Sequence, residues 1–427
     1  MKWSGFSPPV WQPRYTKLFL LGLLILIAYV AAINRAQALP WAIAALLTAT
    51  LITGISWPHW LVKRLSVVRT GPTRAEEGET IIFHVEISNR GLLPRFMVEL
   101  VDHLPFVGAS TGPLTHGEKM LGVVAYVPGG GNRRFDVPVI CEKRGFYRLG
   151  PVGLTSSFPL GLAEARQSRN EGVQYLTIYP DIFIIMTLPL LGAQSQIHRG
   201  GYLLPEGSGA AEFSGLREYR RGDNPRHVHW PTTAKLNELM IKEFEPLASA
   251  CLYVVLDRAR GTNVGQGKQA SFEYAVRIAG SIAKYACNNN IPTRLVGEGE
   301  ELLYLPAGTG EYHYQGILDE LAIVDANGVT PYAKVLQKVA MDCRHGETVV
   351  AFISEADHGL VETLQALALL RARGAHLFAV VLERNSFESP DKLAGNTTAT
   401  AMASLLDLGA TCLQVRRGDD LVKLFNQ

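Results

Sequence analysis

Seventeen residues, Ser214 to Trp230 (SGLREYRRGDNPRHVHW), bring together Arg217, Arg220, Arg221 and Arg226, the acids Glu218 and Asp223, His227 and His229, and a closing tryptophan. A set of this kind could do acid–base chemistry, hold a metal, bind a polyanion or clasp other parts of the chain. Acid–base chemistry needs a nucleophile beside a base. His227 and His229, with Thr232 and Thr233 close by, are the candidates, but imidazoles at i and i+2 do not converge on one helix face. No H-x-x-x-H or H-E-x-x-H spacing exists to hold a metal. The arginines, with Lys235 and Lys242, are offset by Glu218, Asp223, Glu238, Glu243 and Glu245, and no stacking aromatics are interleaved. That argues against nucleic acid. The clasp fits best: arginine forks pair carboxylates bidentately, and an indole can cover a guanidinium. Arg217, Glu218, Asp223, Arg226 and Trp230 are therefore expected to act as an inter-domain clasp, with partner docking as a second use of the same stretch.

The elements that must position this stretch begin with a membrane hairpin. The chain has 427 residues, with 41 basic against 39 acidic side chains and a net charge of +2, so no global charge draws it to a polyanion. Two apolar runs, Leu18 to Ile33 and Ala38 to Trp57, are read as transmembrane helices; the second spans about 30 Å at 1.5 Å per residue. Trp11, Trp41, Trp57 and Trp60 stand where an aromatic belt belongs. Lys2, Arg14 and Lys17 precede the runs, Lys63, Arg64, Arg69 and Arg74 follow them, and only Arg35 lies between. The positive-inside rule then places both termini in the cytoplasm of an inner or plasma membrane. A signal peptide cleaved at Ala36–Ala38 is the alternative, although a second span follows at once. A cytoplasmic location disposes of Arg221-Gly222-Asp223 as a cell-attachment signal. It also suits five scattered cysteines without a C-x-x-C.

From about Leu65 to Tyr179, short alternating runs such as TIIFHVEISNRG and RRFDVPVICEKRG are split by turn residues. They predict an antiparallel β-sandwich of immunoglobulin or fibronectin type. From Cys251 onward, apolar strands (CLYVVLD, ETVVAFIS, HLFAVVLE) alternate with amphipathic helices, two of them closed by Gly374 and Gly409. That order predicts a doubly wound α/β domain with a largely parallel sheet. The predicted organisation is a hairpin over 1–60, a β domain over 61–185, a signature segment and linker over 186–250, and an α/β domain over 251–427. In such sheets the functional crevice lies beyond the carboxyl ends of the strands. Asp257 ends the first strand there, and Ser354, Glu355 and Asp357 follow another.

The segment from Arg217 to Pro246, followed by YVVLD, resembles the signature of the family known as domain of unknown function fifty-eight. Arg217, Glu218, Tyr219, Gly222, Asp223, Arg226 and Trp230 match it position by position. His229 replaces the acid that usually precedes the tryptophan, and Thr233-Ala234-Lys235 replaces the usual Ser-Ala-Arg. The resemblance covers nearly the whole chain and implies two N-terminal spans, a β domain and a von Willebrand factor A-like domain. It also implies a MoxR-type AAA+ ATPase as partner, and no known reaction. An A-like domain raises the question of magnesium. The adhesion-type site needs Asp-x-Ser-x-Ser, a threonine and a further acid, and this chain offers Asp257-Arg258-Ala259-Arg260-Gly261, Thr330 and Asp357. Both hydroxyls of the first motif are replaced, so the expectation is a degenerate site without a cofactor, a hard cation needing more oxygen ligands than these. Asp257 then caps its own loop or pairs an arginine, Thr330 caps the helix after Pro331, and Arg258 and Arg260 are rim charges for a partner. The expected protein is a membrane-anchored, non-enzymatic adaptor or scaffold; the alternative is a metal-dependent hydrolase using Asp257 and Asp357.

Overall fold

The computed structural model describes residues 13–35, 38–107, 118–168, 173–188, 211–219, 228–236, 238–246, 251–354, 357–388 and 397–426. Its contacts divide the chain into two compact units, Met1–Tyr179 and Pro180–Gln427.

The first unit opens with helices α1 (Pro13–Arg35) and α2 (Ala38–Val62), both long and apolar enough to cross a membrane. Their polar side chains find partners without water. Thr48, Thr50, Thr53 and Ser56 each donate to the carbonyl four residues back, at 2.5–2.8 Å. That arrangement suits hydrocarbon, where an unpaired hydroxyl is costly. Tyr29 Oη and Thr48 Oγ1 lie 3.2 Å apart and join the two helices, and the Tyr29 and Trp41 rings meet edge to face. The sequence reading ended the second span at Trp57, before Pro58. The helix instead carries Pro58 inside it and runs on to Val62. Lys63 and Arg64, the latter at φ 64°, turn the chain into the first strand.

Strands β1 (Leu65–Thr70), β2 (Arg74–Glu76), β3 (Thr80–Asn89), β4 (Arg95–His103), β5 (Glu118–Val127), β6 (Asn132–Ile140), β7 (Gly145–Leu149), β8 (Gly153–Ser156), β9 (Ala165–Ser168) and β10 (Gln174–Tyr179) follow. They form three sheets in the orders β1-β3-β6, β5-β4-β8-β9 and β2-β10-β7. β2 pairs β10 in parallel, against the wholly antiparallel expectation. Alternation in β3 turns Ile81, Phe83, Val85 and Ile87 inward, against Val98, Leu100, Val139, Leu176 and Ile178. Val62, the last residue of α2, belongs to this same core.

Within that core lies an ion pair, Arg69 with Asp102, both side chains 0% exposed. Asp102 also accepts from the His103 amide at 2.8 Å. Arg69 Nε and Nη2 meet no acceptor, and burial lowers the guanidinium pKa to about 10. A buried pair of this kind is held by mutual attraction against a large desolvation penalty. Arg69→Ala or Asp102→Ala alone should therefore destabilise the detergent-solubilised chain by about 3–5 kcal/mol, and Arg69→Met with Asp102→Leu should recover most of the loss in chemical denaturation. Additive losses in the double variant would show that the two charges are not coupled.

The second unit begins with a segment over 180–188. The Phe183 amide donates to Ser281 Oγ at 2.9 Å, and Asn426 Nδ2 donates to the Ile184 carbonyl at 2.9 Å. Residues 180–185, placed by sequence at the end of the β domain, thus pack with the α/β unit. Next come β11 (Ala211–Glu218), α3 (Trp230–Leu236) and β12 (Met240–Pro246), then β13 (Leu252–Leu256), α4 (Ser271–Asn288), β14 (Thr293–Glu298), β15 (Leu302–Gly308), α5 (Gly310–Ile323) and α6 (Tyr332–Asp342). β16 (Thr348–Ile353), α7 (Asp357–Ala372), β17 (His376–Leu382), α8 (Thr397–Asp407), β18 (Thr411–Val415) and α9 (Leu421–Phe425) complete it. The main sheet has the order β15-β14-β13-β16-β17-β18, parallel except for β15 at its edge. Every residue of β13 and β16 is buried, as a strand covered on both faces requires. Gly374 and Gly409 close α7 and α8 in the same way. Each has positive φ, its amide returns to the carbonyl three residues back, and the following alanine amide returns five back.

Candidate functional site

The chain leaves β13 toward β14 and returns in β16 on the other side, so the topological switch point lies between the ends of β13 and β16. In an open α/β sheet this is where a ligand crevice forms. Here the gap is filled. Tyr332, 1% exposed, donates its hydroxyl to the Val255 carbonyl at 2.7 Å and accepts from the Phe352 amide at 3.1 Å. It bridges the two strands where their own pairing, last recorded at Val255 with Ala351, has ended. Above it a second set of bonds holds the loop after β13. Ser354 Oγ donates to the Thr262 carbonyl at 3.0 Å and lies 3.4 Å from Ser271 Oγ. Ser271 Oγ in turn accepts from the Val264 amide at 2.9 Å. Arg384 donates to the carbonyls of Gly261, Thr262 and Ser354 at 3.1–3.4 Å, and its Nε pairs Glu388 at 2.8 Å with both side chains largely buried.

Asp257 stands at this point, 3% exposed, its Oδ1 accepting from the Ala259 amide at 3.0 Å. This bond ties the carboxylate to the backbone of the loop that follows β13. Arg258 is not a rim charge. It is 7% exposed, donating to the carbonyls of Asp325 at 3.0 Å and Glu301 at 2.8 Å, and burial lowers its pKa. Gly297, Gly299 and Gly328 make the space: a Cβ at 297 or 299 would stand 2.9 or 2.5 Å from the Arg258 side chain, and one at 328 would meet the Glu298 carbonyl at 2.6 Å. Gly328 also pairs with the loop, Ala259 bridging to it and its amide donating to the Arg258 carbonyl at 2.8 Å. Arg260 does reach solvent, where it pairs Glu300.

Thr330 does not cap α6. The cap position is Pro331, and the Thr330 hydroxyl donates to Glu298 Oε1 at 3.0 Å. Lys338 takes the other oxygen of Glu298 at 2.5 Å, and these two bonds hold that carboxyl below its ordinary pKa. Asp357 opens α7 in the backbone, but its side chain lies outside the described residues. Among the described residues, no three His, Cys, Asp or Glu side chains group to hold a metal ion.

The signature stretch forms an antiparallel hairpin, β11 with β12, in which Arg217 pairs Ile241 and Glu218 pairs Met240. Gly222, Asp223 and Arg226 lie outside the described residues, as does the side chain of Arg217. Val228 bridges to Ile241, and the His229 amide donates to the Met240 carbonyl at 2.8 Å. His229 then caps α3: its carbonyl accepts from the Thr232 and Thr233 amides, and its Nδ1 lies 2.7 Å from Thr232 Oγ1. The helix thus opens at Trp230, and the indole is 66% exposed. Tyr219, Leu236 and Leu239 are exposed around the same hairpin. Sequence reasoning missed Tyr332 and Arg384, because each makes its contacts with strands and loops remote in the chain.

Two substitutions test this geometry. Tyr332→Phe leaves two buried backbone groups unpaired and should cost about 1–3 kcal/mol in thermal or chemical unfolding. Arg258→Glu buries an uncompensated charge and should cost on the order of 3–5 kcal/mol, whereas Arg260→Glu should change stability by less than about 1 kcal/mol. Equal effects at 258 and 260 would contradict the buried role of Arg258.

Part of the chain is similar to the protein "Uncharacterized protein YeaD" of Bacillus subtilis (strain 168), at 29% identity over 119 residues, 28% of this chain and 28% of that relative. Among solved structures, the CARDB domain of the PF1109 protein from Pyrococcus furiosus is similar at 12% identity and a TM-score of 0.19, over 27% of this chain and 86% of that one. A beta-glucosidase from Listeria innocua is similar at 9% identity and a TM-score of 0.17, over 27% of this chain and 16% of that one. Neither likeness bears on function. The family model described as Protein of unknown function DUF58 matches residues 215–383, from the signature hairpin to the end of β17 and the residue after it.

Proposed function

We propose that this chain is a membrane-anchored, non-enzymatic adaptor or scaffold. The observation that carries the reading is the filled switch point: where a doubly wound sheet would open a ligand crevice, Tyr332 and the Ser354 and Arg384 bonds occupy it. In this reading α1 and α2 span an inner or plasma membrane with both termini in the cytoplasm, on the strength of the basic residues flanking them. The β unit is an immunoglobulin-like or fibronectin-like spacer, and the α/β unit is a von Willebrand factor A-like head that takes a protein partner and no nucleic acid. The partner implied by the resemblance is a MoxR-type AAA+ ATPase. The exposed Tyr219, Trp230, Leu236 and Leu239 of the signature hairpin form its docking surface, since exposed aromatic anchors are what protein interfaces use. Arg217, Glu218, Asp223 and Arg226 keep the clasp role that their alternating charges suggest.

Affinity capture of the tagged full chain from membranes of its own host should bring down a MoxR-type ATPase. Trp230→Ala should weaken capture at least about tenfold, a loss of about 1.4 kcal/mol, without lowering the unfolding temperature. Repeated capture without any AAA+ ATPase would count against the partner. Saturable magnesium binding abolished by Asp257→Ala would replace the adaptor with the metal-dependent reading. A reporter fused after Gln427 should be active only in its cytoplasmic form; export-dependent activity would overturn the orientation.

A further inference from the structure

The β unit packs against the C-terminal part of α2. The buried residues near the end of α2 are Gly54, Pro58, Leu61 and Val62, a single stripe at i, i+4, i+7 and i+8. Gly54 faces the loop after β8: a Cβ there would stand 2.6 Å from Leu162 Cδ1 and 3.3 Å from Leu160 Cδ1. A hydrocarbon core about 30 Å thick takes about 20 residues of helix. Even if the whole surplus of the 25-residue α2 lies at its C-terminal end, the core reaches Trp57. Gly54 is then about 4.5 Å deeper than Trp57, and so is the loop that touches it. That loop reads Phe158-Pro159-Leu160-Gly161-Leu162, and Phe158 and Leu160 are exposed.

A second tip flanks the same helix end. The Arg90 amide donates to the Arg64 carbonyl at 3.0 Å, and Arg95 stacks on Trp60 at 3.7 Å while donating to the Lys63 carbonyl. The turn between them exposes Leu92 (94%) and Leu93 (59%). Met97, also exposed, joins the two tips, its carbonyl accepting from Ser156 Oγ at 3.1 Å. Lys63, Arg64 and Arg90 are exposed around this apolar group. Apolar tips with a basic fringe are the chemistry of a surface that inserts among acyl chains and meets lipid phosphates.

We propose that the β unit is itself seated in the bilayer. The Phe158–Leu162 loop enters the acyl region beside α2, Leu92 and Leu93 rest at the headgroup level, and Lys63, Arg64 and Arg90 meet anionic headgroups. The inference rests on α1 and α2 spanning the membrane, and the test separates the two. The full chain, with Cys287→Ser and Cys412→Ser, is placed in nanodiscs of phosphatidylcholine and phosphatidylglycerol. Spin labels are attached at Leu160→Cys, Leu46→Cys in the middle of α2, and Lys143→Cys beyond the β3 end remote from α2. Collision with oxygen, which concentrates in lipid, is compared with collision with a water-soluble nickel chelate. The 160 label should match the 46 label, with an oxygen-to-nickel ratio several-fold above that at 143. A 160 label as water-accessible as 143 while 46 remains in lipid would overturn the seating and leave the spans intact. Exclusion of both reagents at 160 would also overturn it, assigning the loop to a protein contact. A water-accessible 46 label would remove the spans and the seating with them.

Discussion

A single hydroxyl spans the place where the α/β unit would otherwise come apart. In a doubly wound sheet the strands on either side of the switch point send their chains in opposite directions, and here their pairing ends at Val255 with Ala351. Tyr332 restores what that costs, giving the Val255 carbonyl a donor and the Phe352 amide an acceptor. Backbone groups this deep must be paired. Because the bridge comes from the first turn of α6, it also fixes that helix against both strands. The loop after β13 then settles over a closed floor, and its own polar groups are spent on Arg384, Ser354 and Ser271.

Arg258 performs the matching task on the β14 side. Its guanidinium serves as a multi-pronged donor to the turns around Glu301 and Asp325, under a loop that only glycine at 297, 299 and 328 leaves room for. A planar fork with its donors spread over the guanidinium reaches carbonyls of separate turns at once, where a lysine offers three donors at a single point. The charge is thus internal to the scaffold, and the outward face of the same loop presents Arg260 paired to Glu300.

Much of this architecture was legible in the chain because it follows from periodicity and from backbone chemistry. The two apolar runs, the all-apolar strands around Val254 and Val350, and the helix stops at Gly374 and Gly409 are local signals, and the structure carries all of them. The errors came where a side chain's partner is remote. Arg258 reads as a surface charge until β14, its turn and Gly328 are folded around it. Thr330 reads as a cap until Glu298 arrives from another strand to take its hydroxyl. The Arg69–Asp102 pair joins β1 to β4 across the core, and nothing in either strand's alternation announces it. The apolar run ends at Trp57, yet α2 continues past it through Pro58 with the β unit packed along its buried stripe.

That continuation has a mechanical consequence. Only Lys63 and Arg64 separate the last residue of α2 from β1, and Val62 is already part of the β core, so the span and the β unit move as one piece. A helix longer than the local bilayer is wide accommodates by tilting. With β3 extending about 33 Å from the membrane end, a tilt of about 10° would swing its far end by about 6 Å. In the proposed seating, the thickness of the surrounding membrane is thereby converted into a lateral displacement of the far end of the β unit, through a lever that has no hinge.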